Sequence, residues 1–440
     1  MRVLDTDEQV ETAGEPGERR PAGRMARVRG ARALAAWEYG PFRRYLSVQV
    51  LAMAGRALQS TLVGYMVYEL SESDLLLGVV SFMQMVPQLL LAPVVGVIVD
   101  RFDRRKILAA QFATQAVGFL VLALLAVFDA LSVPAIGATV VLMGIANAFS
   151  YPAHSSLLPS LVPVRTLQSA NAINSMMGNL SRVAAPTLSG LIVDGAGVAA
   201  ALLLASGIYW PAAGLVLLVP LLLNVEGVSP TRGPLDPAAR PSFRRDIGDA
   251  IGYIRTNALL RSALANDVVP YLFGMAHMAL LPAIASDTLD GGATTLGLLF
   301  AVGGVGAMFG TLTAGALTGR GLRGRTIWIS TIGFGAGLLI VAAGDSAAVI
   351  MPGLFVTGFF QMLYIIQNDT LVQTFAEDRF RGRALAAQSM VNGLMPIGFL
   401  LLGAIAELTS VPVAFAVAGG ALVASGVATR VFRPVMWELR

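Results

Sequence analysis

The chain alternates between long apolar runs and short polar loops over most of its length. Each run is roughly 20 residues, which as a helix crosses a hydrocarbon core about 30 Å thick. The runs are continuous rather than alternating in polarity, so they indicate helices and not the strands of a barrel. This pattern predicts about twelve membrane-spanning helices, at residues 45–70, 76–99, 107–128, 133–154, 169–193, 198–223, 259–285, 294–318, 326–344, 347–374, 384–406 and 411–431.

The longest polar interruption, residues 224–258, lies at the centre of the chain. We therefore expect an N-terminal six-helix bundle at 43–223, a cytoplasmic linker at 224–258 and a C-terminal six-helix bundle at 259–433. Residues 1–42 and 434–440 are predicted to be tails, the first of them cytoplasmic and disordered. The predicted fold class is an all-α polytopic membrane protein built from two pseudo-symmetric bundles.

Composition narrows the class of protein. The mean hydropathy is +0.70, and 55% of the residues are hydrophobic against 13% charged. There is no cysteine, and the two histidines, His154 and His277, are far apart in sequence, so we expect no metal site and no cofactor. Lys106 is the only lysine and lacks phosphate-loop glycines, which argues against a nucleotide-driven pump. The basic residues are spread among loops, unlike a nucleic-acid-binding surface.

Loop charge alternates in sign along the chain. One set of loops, termed the basic end, carries Arg101, Arg104, Arg105, Lys106, Arg165, Arg244, Arg245, Arg320, Arg323, Arg325, Arg379, Arg381 and Arg383. The alternate set, termed the acidic end, has no arginine or lysine and carries Glu72, Asp74, Asp129, Asp194, Asp287, Asp290, Asp345 and Glu407. Positive loops stay in the cytoplasm, so we expect a multi-pass protein of the cytoplasmic membrane with both termini inside.

The two halves repeat weakly. The segment GVIVDRFDRRK at 96–106 has an echo in GALTGRGLRGR at 315–325, and LLPSLVPVR at 157–165 has one in LVQTFAEDR at 371–379. Parallel repeats of six spans around a site near the bilayer midplane are typical of secondary transporters.

The first of these segments, residues 96–106, also carries a recognisable sequence motif, and we term it the signature loop. Six charged residues occupy the seven positions 100–106 of an otherwise apolar region. The segment resembles the loop between the second and third helices of the major facilitator superfamily. Asp103 stands where that family usually has a second glycine, and the matching positions are Gly96, Asp100, Arg101, Arg104 and Arg105.

A narrower resemblance comes from residues 144–176 and 377–386, which are similar to the branch that contains the enterobactin exporter and related siderophore and drug efflux proteins. The resemblance covers nearly all of 43–433 and implies a monomeric secondary transporter that works by alternating access. It implies export of a small amphiphilic or anionic molecule, siderophore-like or drug-like, in antiport with protons. Import by the same fold is the alternative. An intramembrane enzyme or a non-transporting receptor is less well supported, and we expect no enzyme.

The charges of the signature loop admit two interpretations. Asp100 can pair with loop arginines and with the positive N-terminus of a neighbouring helix when the bundles close on the cytoplasmic side. Residues Gly96, Asp100, Arg101, Arg104 and Arg105 would then form a conformational latch. Alternatively, the arginines only keep the loop in the cytoplasm, which leaves Asp100 and Asp103 without a role.

Ionisable side chains at membrane depth are costly unless paired or hydrated, so they are functional candidates. Arg56 and Arg182 suggest an anionic or polyphenolic substrate, or carboxylate partners across the cavity. For Arg56 the partner would be water, a carboxylate such as Asp267, or a substrate anion, whereas Arg182 can equally be a fixed structural partner. Asp267, His277 and Asp369 are candidates for proton coupling, the first two on one face of the seventh span. Asp369 can instead pair locally with the basic loop around Arg379.

Polar residues at helical spacing predict the wall of a substrate cavity. Some of these residues will instead join helices to each other by hydrogen bonds. The candidates, besides Arg56 and Arg182, are Asn171, Asn174, Tyr65, Gln84, Tyr271, Gln361, Tyr364, Gln388 and Asn392.

Overall fold

The computed structural model describes residues 35–163, 166–219, 257–317, 323–375 and 381–432. Its regular structure over these ranges is entirely helical. The tails and the predicted linker lie largely outside them. The helices are α1 Gly40–Ser71, α2 Asp74–Arg101, α3 Arg104–Val127, α4 Val133–Ala148, α5 Ser150–Leu157, α6 Leu167–Leu217, α7 Ala258–Val269, α8 Ala293–Leu317, α9 Arg323–Ala342, α10 Ala347–Phe375, α11 Arg381–Asn392, α12 Met395–Leu408 and α13 Val411–Phe432.

Eleven helical stretches among the described residues are long and apolar enough to cross a membrane. One of them, α6, supplies two crossings because the chain folds back at Gly197, whose φ of 87° and ψ of 166° are not helical. Only glycine reaches this region without strain, since it has no Cβ. The predicted gap between the fifth and sixth spans falls at this residue, and the predicted fold class is confirmed.

Local capping explains where several helices begin. Ser73, Asp103 and Asn257 precede α2, α3 and α7, and their side-chain oxygens accept backbone N–H hydrogen bonds of 3.3, 2.9 and 3.0 Å. Each bond satisfies one of the amide groups that the first turn of a helix leaves without an intrahelical partner.

Glycine allows the helices to approach closely. A Cβ added at Gly306 or Gly310 of α8 would meet the backbone carbonyls of Phe355 or Phe359 in α10. Small residues at such contacts let the helix backbones pack against each other, which is how helices associate when lipid removes the hydrophobic driving force.

The seventh span is irregular. After α7 the helix continues as a wide π turn at Pro270–Gly274, a tight 3₁₀ segment at Met275–Leu280 and a second π turn at Ile284–Thr288. Such turns change the number of residues per turn, so side chains beyond them no longer follow the face predicted for a regular helix.

The hydrogen bonds that the structure shows between the two halves lie at the acidic end. They join Tyr68 to Asp287, Glu407 to the start of α2, and Asp194 to the start of α8. The protein is therefore closed at its acidic end.

Candidate functional site

A cavity of about 480 Å³ lies between the two halves of the molecule. The first half contributes α1 and α6, and the second contributes the continuation of α7 together with α8 and α10. Its polar lining residues are Arg56, Ser60, Ser181, His277 and Gln361.

The remaining wall is apolar and rich in methionine. Met53 comes from α1, Met275 and Met278 from the irregular part of the seventh span, and Met362 from α10. Phe300 of α8 adds an aromatic face. Methionine is flexible and polarizable and makes favourable contacts with aromatic rings, so this wall can adapt to flat apolar groups. A mostly apolar pocket with a few polar groups is typical of small-molecule sites.

Arg56 brings positive charge to the cavity. Its side chain is partly buried in the middle of α1. It forms no ion pair with any carboxylate whose side chain the structure describes. Of the alternatives for Arg56, the pair with Asp267 is therefore not formed in this conformation. The Arg56 guanidinium remains available to an anionic group in the cavity.

The seventh span presents His277 to the same cavity. Its Nδ1 lies 2.6 Å from the carbonyl oxygen of Gly274, and its ring packs edge-on against Phe334 and Phe415 at centroid distances of 6.2 and 6.1 Å. A carbonyl can only accept, so Nδ1 carries a proton. In the neutral ring, Nε2 is then left as a hydrogen-bond acceptor.

Asp267 lies elsewhere, inside the second bundle. Its side chain is 1% exposed and does not line the cavity. The Tyr364 hydroxyl donates to one carboxylate oxygen, and Asn368 Nδ2 donates to the other over 2.7 Å. Gln388 Nε2 lies 3.5 Å from Asp267 and 2.8 Å from Asp369, so it bridges the two carboxylates. We term Asp267, Tyr364, Asn368, Asp369 and Gln388 the carboxylate cluster.

The predicted shared face of Asp267 and His277 was wrong. Asp267 belongs to the regular helix α7, whereas His277 follows the wide turn at Pro270–Gly274. Asp267 enters the carboxylate cluster, whereas His277, which lies beyond the wide turn in the tight 3₁₀ segment, lines the cavity.

The structure places the other predicted cavity residues in different surroundings. Gln361 lines the cavity and donates from Nε2 to the sulfur of Met275 over 2.6 Å. Tyr364 and Gln388 belong to the carboxylate cluster instead. Tyr271 and Asn392 lie beside each other next to it.

The rest act away from the cavity or are not described. Asn174 joins α6 to α1 through a 3.2 Å hydrogen bond with Gln49, and Asn171 is exposed. Tyr65 lies beside Glu69 near the acidic end. The two remaining candidates are Gln84, whose backbone carbonyl lies against Gly144, and Arg182, whose side chain is outside the described part of the structure.

Sequence reasoning missed the methionine wall and the polar pair in the first bundle. Tyr45 hydrogen-bonds His154 at 3.2 Å between α1 and α5, although these residues are far apart in sequence. The methionines of the wall lie within predicted spans. They look the same as ordinary apolar residues there, so only the cavity distinguishes them.

At the basic end, the signature loop forms contacts within the first bundle. Asp103 and Arg105 form a salt bridge of 2.8 Å, and Arg105 also donates to the carbonyl of Val219 over 3.2 Å. Hydrogen bonds from Arg105 lower the pKa of the Asp103 carboxyl below its usual value. Gly96, Arg101 and Arg104 lie on the adjacent turns of α2 and α3. Asp100 is in the last turn of α2, and its side chain is not among those that the structure describes.

Comparison with known proteins identifies the family. A family model described as "Transmembrane secretion effector" matches residues 31–439, which is nearly the whole chain. The chain belongs to this family of the major facilitator superfamily. It is a membrane transporter and not an enzyme.

Two relatives have names that state a transport activity. The staphyloferrin A transporter of Staphylococcus aureus is 25% identical over 347 residues, which cover 78% of this chain and 84% of that protein. The enterobactin exporter EntS of Salmonella typhimurium is 27% identical over 398 residues, which cover 87% of this chain and 88% of that protein.

Solved transporters share the fold. The nucleoside transporter NupG matches with a TM-score of 0.65 at 14% identity, over 90% of this chain and 100% of that one. A bacterial homologue of the lysosomal transporter Spinster, in an inward-facing and unoccupied conformation, matches with a TM-score of 0.62 at 15% identity, over 90% and 96%.

Proposed function

We propose that this transporter exports a small amphiphilic or anionic molecule, siderophore-like or drug-like, across the cytoplasmic membrane. The observation that carries the proposal is the cavity between the bundles, with a methionine-rich wall and Arg56, which pairs with no carboxylate whose side chain is described. Such a cavity suits a molecule with an apolar body and an acidic group. The relatives that carry the names of a siderophore transporter and a siderophore exporter support the same class.

Alternating access provides the mechanism. With the basic loops in the cytoplasm, the closed acidic end faces outward, and the structure corresponds to a conformation that loads from the cytoplasm. Opening of the acidic end and closure of the basic end would expose the same cavity to the outside.

Proton antiport is proposed as the driving reaction, with Asp267 and Asp369 as the proton-carrying groups. Asp267 is buried between α7, α10 and α11, where rearrangement of the second bundle can change its contacts. Because Asp267 does not line the cavity, the proton and the substrate act on each other through helix movement rather than by competing for one position.

The test uses purified protein in liposomes with a trapped pH-sensitive dye and a panel of fluorescent and catecholate compounds. A compound that enters the lumen by antiport drives protons out, so the lumen becomes alkaline. Lumen acidification during entry would indicate symport and favour an importer of the same fold. Transport with no pH change would remove proton coupling.

A further inference from the structure

We propose that Asp194 and Glu407 are gating residues of the transport cycle. Each carboxylate caps the first turn of a helix in the opposite bundle, and both stabilise the closed acidic end alongside the Tyr68–Asp287 hydrogen bond. This pair, termed the acidic-end gate, is separate from the cavity and from the carboxylate cluster.

Asp194 lies near the end of the first of the two membrane crossings that α6 supplies. Its Oδ1 accepts the backbone N–H of Ala293 over 3.1 Å, and its Oδ2 accepts that of Thr294 over 2.9 Å. Both amides belong to the first turn of α8, where no intrahelical acceptor is available. One carboxylate of the first bundle therefore caps a helix of the second.

Glu407 makes the reciprocal contact from the second bundle. Its Oε2 accepts the Ser73 hydroxyl over 2.8 Å and the Leu75 backbone N–H over 3.1 Å. Ser73 is itself the N-cap of α2. The negative charge of Glu407 also interacts favourably with the positive end of the α2 dipole.

The two contacts are related by the internal repeat. Beneath each carboxylate a glycine lets the helices approach closely: a Cβ at Gly190 would meet the backbone of Ala293, and a Cβ at Gly403 would lie 2.7 Å from the Asp74 carbonyl. A constant sequence spacing relates Asp74 to Ala293 and Gly78 to Gly297, and a second one relates Gly190 to Gly403 and Asp194 to Glu407.

This symmetry argues that the contacts are a property of the fold and not a chance meeting of two loops. The repeat places a glycine and a carboxylate in the last turns of the fifth and eleventh spans. It places the N-termini of the second and eighth spans opposite them.

The acidic-end gate is suited to reversible opening. Asp194 and Glu407 are exposed, so water can replace the capping bonds when the bundles separate. Exposed charged contacts are weak and exchange easily with solvent. Their loss should therefore change the balance between the open and closed states more than it changes the folding of either bundle.

The experiment measures the distance between the bundles at the acidic end. Spin labels at Ala130→Cys and Ala348→Cys, both exposed positions, suit the cysteine-free chain, and pulsed electron paramagnetic resonance reads their separation. Asp194→Ala or Glu407→Ala should each raise the ratio of long to short distances about fivefold, the usual effect of losing an N-cap. The double variant should raise it about 25-fold if the contacts act independently.

Three comparisons make the result decisive. Asp194→Asn and Glu407→Gln keep an acceptor oxygen, so they should stay folded and shift the ratio less than alanine does. Asp345→Asn removes an exposed charge at the same end that makes no hydrogen bond to the other bundle among the described residues, and it should have no effect. An unchanged distribution in the double alanine variant, or an equal shift in Asp345→Asn, would overturn the proposal.

The measurement requires no substrate and no gradient. Its outcome is therefore independent of the proposed export and of proton coupling.

Discussion

Arg56 is the charged side chain that most directly connects the sequence to a substrate. It stands in the middle of the first span, where an arginine costs at least ~2.5 kcal/mol on insertion scales unless it is solvated or paired. The cavity provides that solvation, and no described carboxylate neutralises it. The residue is therefore available for an anionic ligand at no cost to an existing ion pair.

We predict that Arg56→Gln weakens binding of an acidic substrate roughly 10- to 150-fold, because one charge-assisted hydrogen bond is lost. A neutral ester of the same compound should lose much less affinity. Binding titrations of both compounds to purified wild-type and variant protein provide the measurement. Equal losses for acid and ester would show that Arg56 supports the structure instead.

Asp267 belongs to the carboxylate cluster, whose donors come from α10 and α11. We predict that Asp267→Asn abolishes transport driven by a pH gradient but spares substrate exchange across vesicles without a gradient. The asparagine keeps the shape and can still accept from Tyr364, while it cannot carry a proton. Flux measurements with and without the gradient test this. Asp345→Asn serves as the control, and loss of both activities would indicate a structural role for Asp267.

At the scale of elements, Gly197 is the position where α6 becomes two spans. Its backbone conformation is accessible only to glycine. We predict that Gly197→Ala destabilises the protein by about 1–3 kcal/mol, the usual cost of such strain. Gly195→Ala is the matched control, because the added Cβ would lie in open space and the φ of Gly195 is ordinary. Thermal unfolding in detergent compares the two, and equal midpoints would contradict the prediction.

Asp103 begins α3 and shows how a loop charge serves a local purpose. Its Oδ1 caps the Arg105 amide over 2.9 Å, and its pKa is lowered by the hydrogen bonds from Arg105. We predict that Asp103→Ala costs about 1 kcal/mol of stability, as the loss of an N-cap usually does. Asp103→Asn should keep the cap and lose only the charge.

The pH dependence of that contribution has a definite sign. A carboxylate whose pKa is lowered in the folded state adds stability above its unfolded pKa of about 3.9. That stability is lost as the pH falls through the lower folded pKa. The stability advantage of wild type over Asp103→Asn should therefore shrink below about pH 4. Unfolding midpoints measured as a function of pH test this, and a constant difference would contradict it.

At the scale of the whole molecule, the conformation is set by which end of the bundles is held together. The structure shows the acidic end closed, while the described contacts of the signature loop stay within the first bundle. The predicted latch around Asp100 would act in the opposite state. Closing contacts at one end would then oppose closing contacts at the other end, because both sets join the same two bundles.

We predict that Asp100→Asn leaves the protein folded but favours the state that is closed at the acidic end. Combined with the double alanine variant of the acidic-end gate, it should partly restore the short distances between the labels at positions 130 and 348. Pulsed resonance on the triple variant provides the test. A distribution identical to that of the double variant would leave the signature loop with a role only in topology.

The sequence by itself determined the spans, their grouping into two bundles and the sign of charge at each end. These properties depend on local hydrophobicity and on short loops, so they can be counted along the chain. The repeat of the signature loop and the break between the spans 169–193 and 198–223 could be read from the sequence for the same reason. Arg56 and Gln361 were cavity candidates because a charge or an amide in an apolar helix requires a polar environment, and both line the cavity between the bundles.

Only the tertiary structure decided which polar side chains meet. Gln361 and Tyr364 lie three residues apart on one helix, yet one faces the cavity and the other faces Asp267, because neighbouring helices cover different parts of that surface. The wide turn after α7 separates His277 from Asp267, and it depends on packing that no local pattern reveals. The capping of one bundle by Asp194 and Glu407 of the other joins residues far apart in sequence, and such contacts exist only once both bundles are folded and closed.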